Sequence, residues 1–400
     1  MKSLLKDKTV VLGITGSIAA YKMANVASQL VKMGCNVQVI MTKNAQEFIS
    51  PLVFETLTGQ KCIVDTFDRH VSYDVAHISL AKRADLFMVA PASANVIGKI
   101  AGGIADDMLT TTIMACRCPK LIAPAMNTAM FENPFVQENL KKLITHHYKV
   151  ISPASGILAC KDVGAGKLPE ESLLVEHIIR EIAYPKDLAG QNVLVTAGPT
   201  CEAIDPVRYI SNHSSGKMGY AIARAAMLRG ADVTLISGKT ALAPPPFVQL
   251  ISVFSASEML HAVMEHFEKT DITIKAAAVA DFKPAEYADH KIKKNEAQAE
   301  ITLVPTIDIL KTLGQKKRHD QFLCGFSMET RDMIENTMTK LRKKNVNMMI
   351  ANNLKESGAG FNTSTNRVTI ITADHTKELP LMSKGDVAHK ILDAILNARQ

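Results

Sequence analysis

The chain lacks any run of uncharged apolar residues approaching the ~18 that a membrane-spanning helix needs, so no transmembrane helix is expected. Residues 1–8 also lack the apolar stretch and small-residue cleavage site of a secretory signal and pass straight into a strand pattern, which predicts a reducing cytoplasm. Cysteine is sparse: the seven lie at 35, 62, 116, 118, 160, 201 and 324, and only Cys116 and Cys118 are close. That spacing excludes a disulfide framework and a zinc site. Neither sign of charge dominates, with 46 basic against 39 acidic side chains for a net charge of +7. A mild basic excess suits anionic small ligands, and the lysine clusters lack the interleaved aromatics of a single-stranded nucleic-acid groove.

Also missing is the dinucleotide fingerprint. The first strand pattern, residues 9–16, is followed by Gly16-Ser17-Ile18 and a helical pattern, not by G-x-G-x-x-G. The second strand pattern, residues 36–42, ends in Met41-Thr42 where a ribose-binding enzyme would carry a carboxylate. This disfavours a nicotinamide-dependent oxidoreductase and favours a mononucleotide such as FMN, whose phosphate Thr42 could bond.

What is present is hydrophobic periodicity that switches between strand and helix. With 400 residues, 47% hydrophobic and 21% charged, two domains can each bury a core. The strand–helix–strand pattern of residues 9–42 restarts at residues 192–238, after a Pro/Gly-containing connector. Two doubly wound parallel α/β domains are expected, the first flavodoxin- or Rossmann-like over 1–190 and the second Rossmann-like over 191–400, with the boundary between Pro185 and Asn192. Residues 285–306 are polar and lysine-rich and read as an excursion, while residues 386–398 read as an amphipathic closing helix.

In such sheets ligands bind beyond the carboxyl ends of the strands. There the first half offers Gly16-Ser17, Thr42, Ser93-Ala94-Asn95 and Ala125 with Asn127, small and polar residues that admit a flat ring and can bond its edge. Ser17 reads equally as a helix cap. His77 could bond a carboxylate or simply fill space, and Cys160 sits in a glycine-containing loop able to close on a site.

In the second half the loop 196–219 is dense in Gly, Ser, Asn and Arg between a strand and a helix, as a phosphate loop is. Arg208, Asn212 and Lys217 in it have no evident structural purpose. Asp281 ends a buried strand pattern, Lys291, Lys293 and Lys294 lie in the excursion, and Lys340 and Lys344 are spaced for one helical face. Such lysines could surround a triphosphate.

The segments 13–22, 90–109, 123–134 and 158–170, in that order, resemble the homo-oligomeric flavin-containing Cys decarboxylases, phosphopantothenoylcysteine decarboxylase among them. The resemblance implies FMN at Gly16, Ser17, Thr42, Ser93, Ala94, Asn95 and Ala125, with His77 catalytic and Asn127 on the substrate carboxylate. It also implies oxidation of a cysteinyl thiol to a thioaldehyde, loss of carbon dioxide and reduction of the enethiol, Cys160 donating the final proton. Lys161 stands where that family has glycine. Segments 205–219, 276–284, 291–294 and 340–345 resemble phosphopantothenate-cysteine ligase, so the whole chain is similar to bifunctional bacterial coenzyme A enzymes.

The second resemblance implies CTP read by Lys275, Ala276, Ala277, Asp281, Ile307, Asp308, Ile309, Leu310 and Phe326, with its phosphates on Lys291, Lys340 and Lys344. Ile307 replaces the family's proline. Arg208 and Asn212 would handle phosphopantothenate and an acyl-cytidylate that cysteine attacks. Mg²⁺, a trimeric first half and a dimeric second half, hence a dodecamer, are further implications. A flavin-binding regulator on the same fold is the alternative that this reading leaves open.

Overall fold

The computed structural model describes residues 4–67, 76–157, 163–293, 300–328, 333–352, 360 and 363–399. The chain forms two compact units, Met1–Tyr184 and Pro185–Gln400.

In the first unit, hydrophobic strands are buried on both faces, which is why they read as near-continuous apolar runs rather than as alternating ones. Five parallel strands lie in the spatial order Asn36–Met41, Thr9–Ile14, Leu86–Ala92, Lys120–Pro124, Lys149–Val150. This is the 2-1-3-4-5 order of flavodoxin-like sheets, which reverses direction between strands one and three and leaves a crevice beyond their carboxyl ends. The helix Met23–Lys32 buries Met23, Val26, Ala27 and Leu30, one stripe at helical spacing. It is preceded by a 3-10 turn, Ile18–Lys22, whose tighter winding brings Ser17 to the helix entrance. Buried Thr15 ties the first and third strands together: its hydroxyl donates to Pro91 O at 2.6 Å and accepts from Ser93 N at 2.9 Å. Outside the sheet an antiparallel hairpin, Ala154–Ile157 with Val163–Lys167, approaches the same rim.

The second unit has eight strands in the order Gln249–Ser252, Asp232–Ser237, Asn192–Ala197, Ile272–Lys275, Phe322–Met328, Met348–Asn352, Val368–Ile371, Thr376–Glu378. The first six are parallel, and the seventh and eighth each pair antiparallel with the strand before them. Counted along the chain, the parallel part is the 3-2-1-4-5-6 Rossmann order, with its crevice between the strands that end at Ala197 and Lys275. Helix Lys217–Leu228 follows the first of these, and the closing helix Lys384–Arg399 packs along it. At the base of the excursion Phe282–Pro284 pairs with Leu303–Pro305, a hairpin that the polar sequence between them does not announce. Helix Met333–Lys343 ends one residue before Lys344, whose N–H still bonds Lys340 O at 3.0 Å, so the two lysines share one turn but not one helix. Among the described residues no helix is long and apolar enough to cross a membrane.

Candidate active sites

The crevice of the first unit opens into a cavity of about 450 Å³, within the ~300–1,000 Å³ range of small-molecule sites. Gly16, Ser17, Ser93, Ala94, Ala125 and Asn127 line it, drawn from the ends of three adjacent strands. Ser17 and Ser93 also cap helices, accepting from Ala19 N and Val96 N, each at 3.4 Å. These long bonds are compatible with a hydroxyl turning to a ligand, so capping and binding are not exclusive. Gly16 is required sterically: a Cβ there would sit 2.8 Å from Asn44 Cβ, in the 3-10 turn Lys43–Glu47 just after the second strand. Asn127 Oδ1 accepts from Ala129 N at 2.8 Å and so caps helix Thr128–Glu132.

Thr42, Asn95 and His77 do not line this cavity. Thr42 bonds through its backbone to Ile14 O at 3.0 Å, Asn95 is exposed on the helix Ala94–Gly102, and His77 lies in the first turn of helix Ala76–Arg83. Cys160 and Lys161 lie outside the described residues. The hairpin that flanks them is seated on the rim by Met126 N, which donates to Gly166 O at 2.9 Å. Tyr21, Lys22 and Lys167 also line the cavity. Sequence reasoning passed over them, although all three lie within segments 13–22 and 158–170. Its ammonium is 3.9 Å from Glu171.

In the second unit the crevice holds a smaller pocket of about 110 Å³, room for part of a nucleotide rather than the whole. Ser214 to Gly219, at the start of helix Lys217–Leu228, form one wall. Ala276 to Ala278, Phe326, Asn352, Asn366 and Lys384 form others. The alanines are held by the first strand: Ala276 N donates to Thr196 O and Ala277 N to Thr196 Oγ1, both at 3.2 Å. Gly219 lets the helix close on the sheet, since a Cβ there would lie 2.6 Å from Ala197 Cβ.

Beside the pocket stands a charge cluster. Lys344 bonds Asp308 at 2.8 Å, and Asp308 also caps helix Ile309–Lys316 through Lys311 N at 3.0 Å. Burial opposes ionisation of Asp308, but Lys344 and the helix amide hold its carboxyl below the usual range. Burial pushes the Lys275 ammonium down to about 8; Asp308 and Asp281 oppose that and Lys344 adds to it.

Two expected ligand contacts have a different occupation. Ile309 and Leu310 put their side chains in the hydrophobic core, so only their backbone could face a nucleotide, while Ile307 is exposed. Arg208 and Asn212 are anchors within the site. Arg208 pairs with the buried carboxylate of Asp205, which also accepts from Val207 N and Ile292 N, and its guanidinium donates to Ile292 O at 3.2 Å. The Arg208 hydrogen bond holds the Asp205 carboxyl well below its ordinary range. This clamp fixes the chain beside Lys291, which is itself exposed. Asn212 Nδ2 donates to Val279 O at 3.1 Å and Ala278 O at 3.3 Å. Lys340 is half-buried, Asp281 and Lys293 are exposed, and Lys294 lies outside the described residues. No cluster able to hold a metal ion occurs among the described residues.

Residues 1–183 match the family described as Flavoprotein, and residues 188–398 the DNA/pantothenate metabolism flavoprotein C-terminal domain. The coenzyme A biosynthesis bifunctional protein CoaBC of Bacillus subtilis (strain 168) is 47% identical over 398 residues, 98% of this chain and 97% of that protein. The protein of the same name from Vibrio vulnificus (strain CMCP6) is 43% identical over 393 residues, 98% of each. A crystal structure of the C-terminal domain of a CoaBC protein covers 52% of this chain and 95% of its own, at 46% identity and a TM-score of 0.45. The chain thus belongs to the family of bifunctional coenzyme A biosynthesis proteins. It is a flavin-containing enzyme with ligase and decarboxylase activities that starts from phosphopantothenate. That removes the regulator and the nicotinamide oxidoreductase from consideration.

Proposed function

We propose that residues 1–190 are an FMN-dependent phosphopantothenoylcysteine decarboxylase and residues 191–400 a CTP-dependent phosphopantothenate-cysteine ligase. The observation that carries this reading is the pairing of a crevice lined by small and polar residues at a flavodoxin-type switch point with a helix-N-terminal, lysine-containing pocket at a Rossmann-type one.

In the ligase half the substrate carboxylate attacks the α-phosphorus of CTP, pyrophosphate leaves, and the acyl-cytidylate forms. The cysteine amine then attacks the acyl carbon and expels CMP. Lys291, on the stretch that the Asp205–Arg208 clamp holds at Ile292, neutralises charge developing at the α-phosphate. Asn212 keeps the Ala278–Val279 backbone in place beneath the acyl group. Asp281, Asp308 and Phe326, with the backbone of 275–277 and 307–310, take the cytidine, and Lys340 and Lys344 join Lys291 on its phosphates. Mg²⁺ travels with the triphosphate instead of occupying a protein cage.

In the decarboxylase half Gly16, Ser17, Ser93, Ala94 and Ala125 hold FMN, with Thr42 and Asn95 at its margin. When bound, FMN would supply a reversible two-electron acceptor, taking two electrons from the carbon bearing the substrate thiol so that it can serve as an electron sink for loss of carbon dioxide and returning them to the resulting enethiol, so that the flavin ends unchanged. Asn127 Nδ2 donates to the departing carboxylate, His77 orients the substrate, and Cys160 returns the last proton. His77 lies outside the cavity lining of a single chain, so its role rests on the resemblance, as do the trimeric and dimeric contacts of a dodecamer.

Mass spectrometry after incubation with 4′-phosphopantothenate, cysteine, CTP and Mg²⁺ tests the whole reading. 4′-Phosphopantetheine is the expected product. Accumulated phosphopantothenoylcysteine would refute the decarboxylase half alone. With supplied phosphopantothenoylcysteine, unimpaired turnover by His77→Asn would remove that residue from the mechanism.

A further inference from the structure

Among the described residues, Cys118 is the one cysteine that is not buried, and it stands two positions from another. Helix Met108–Ala115 ends on Cys116, extended at φ −73° and ψ 138°, and the chain then passes through Arg117, Cys118 and Pro119 into strand Lys120–Pro124. Two residues of such chain span at most roughly 7 Å, so the pair reaches the ~4.4–6.8 Å Cα separation of a disulfide with little backbone movement. Both side chains pack into one hydrophobic cluster, Cys116 5% exposed within it and Cys118 partly buried against it. Their thiols hydrogen-bond each other, which lowers the pKa of Cys118 and raises that of Cys116. Burial and Asp85 oppose the first shift, whereas Lys120, whose ammonium also donates to Cys118 O at 3.2 Å, favours the thiolate. Burial pushes Cys35 and Cys62 up to about 12, so those thiols stay protonated and inert. A thiolate that solvent reaches, with a protonated thiol against it, is the arrangement of an attacking and a resolving cysteine.

We propose that Cys118 and Cys116 form a reversible thiol–disulfide exchange site whose oxidant is a small-molecule disulfide, RSSR. The Cys118 thiolate attacks one sulfur of RSSR and expels RS⁻, leaving a mixed disulfide. That removes the negative charge which kept the Cys116 proton in place. The Cys116 sulfur then attacks the Cys118 sulfur, and its proton leaves with the second RS group as RSH. Two electrons pass from the cysteine pair to RSSR, and excess thiol reverses both steps. A bridge across so short a loop removes little chain entropy, so it adds redox chemistry rather than a structural staple. The pair stands at the amino end of its strand, about 17 Å along the chain from Ala125 at the flavin crevice. The exchange site is therefore separate from the decarboxylation chemistry and does not rest on the proposed function.

The test treats full-length wild-type, Cys116→Ser and Cys118→Ser proteins with cystine, quenches them in acid and maps tryptic peptides by mass spectrometry. Trypsin cuts after Arg117, so a bridge keeps the peptides on either side joined. Wild type should show the joined pair, released by dithiothreitol, and Cys116→Ser should instead hold a cysteinyl adduct on Cys118. In Cys118→Ser the reaction at Cys116 should be at least tenfold slower than the reaction at Cys118 in Cys116→Ser. A persistent adduct on wild-type Cys118, two thiols left free, or equal rates at the two positions overturns the proposal. Flavin absorbance and circular dichroism matching wild type show that the variants are folded. Should either variant fail to fold, iodoacetamide labelling of wild-type protein reads the same asymmetry: Cys118 must label at least tenfold faster than Cys116, and equal labelling overturns the proposal as well.

Discussion

Gly166→Ala isolates the contribution of the hairpin to decarboxylation. Gly166 has φ +134°, and a Cβ built on it would lie 2.3 Å from the carbonyl oxygen of Met126, whereas real Cβ contacts stay beyond 3.0 Å. The same residue accepts the 2.9 Å hydrogen bond from Met126 N, so the hairpin is seated on the rim loop backbone to backbone. Relieving the overlap moves the strand about 1 Å and breaks that bond. Losing the bond costs about 1 kcal/mol and forcing an L-residue into this φ costs about 1–3 kcal/mol. Together they shift the seated–unseated balance by about 2–4 kcal/mol, or roughly 30- to 1,000-fold at ~1.4 kcal/mol per decade. The assay is turnover of supplied phosphopantothenoylcysteine, with flavin content read by absorbance. Turnover should fall at least tenfold while Gly156→Ala, at φ +152° with nothing within 4 Å of its Cβ, loses far less. Wild-type turnover in Gly166→Ala, or equal losses in both variants, would refute the reasoning.

Other perturbations reach the second unit and the fold. Gly219→Ala should lift the first helical turn from Ala197 and raise KM for CTP about tenfold in a pyrophosphate-release assay, with decarboxylation of supplied intermediate unchanged. Arg229, 6% exposed, bonds Asp187 and Asp393, each at 2.8 Å. Because both aspartates are partly solvated, Arg229→Leu should cost about 2 kcal/mol and lower the Tm of the second unit by roughly 4–8 °C in a calorimetric scan. Burial pushes His177 and His389 down to about 4 from 6.5. Between these values the folded chain binds fewer protons than the unfolded one, so the stability is fully present above pH 6.5 and is lost as pH falls toward 4. After solvent screening the loss is about 1–2 kcal/mol per histidine, and His177→Leu should flatten the acid limb of the first unit's Tm–pH curve.

The alternation of strands and helices was legible in the sequence because it rests on local periodicity: apolar runs for strands buried on both faces, and stripes such as Met23, Val26, Ala27 and Leu30 for helices. The small and polar residues just past the strands were legible for the same reason, since in an open α/β sheet chain position after a strand implies position at the rim. Strand order was not, because pairing joins segments distant in sequence. The flavodoxin order of one sheet and the Rossmann order of the other became distinct only in the fold. Nor could spacing tell a side chain that faces the crevice from one that braces it. Arg208 and Asn212 look like free polar groups in a loop, yet their partners are Asp205, Ile292 and the Ala278–Val279 backbone, up to 84 positions away. Lys384 carries no local signal at all, and its place beside Lys217 exists only because the last helix folds back along the first helix of its unit. Local pattern thus determined the elements and their rims, while long-range packing decided which charges share a low-dielectric pocket.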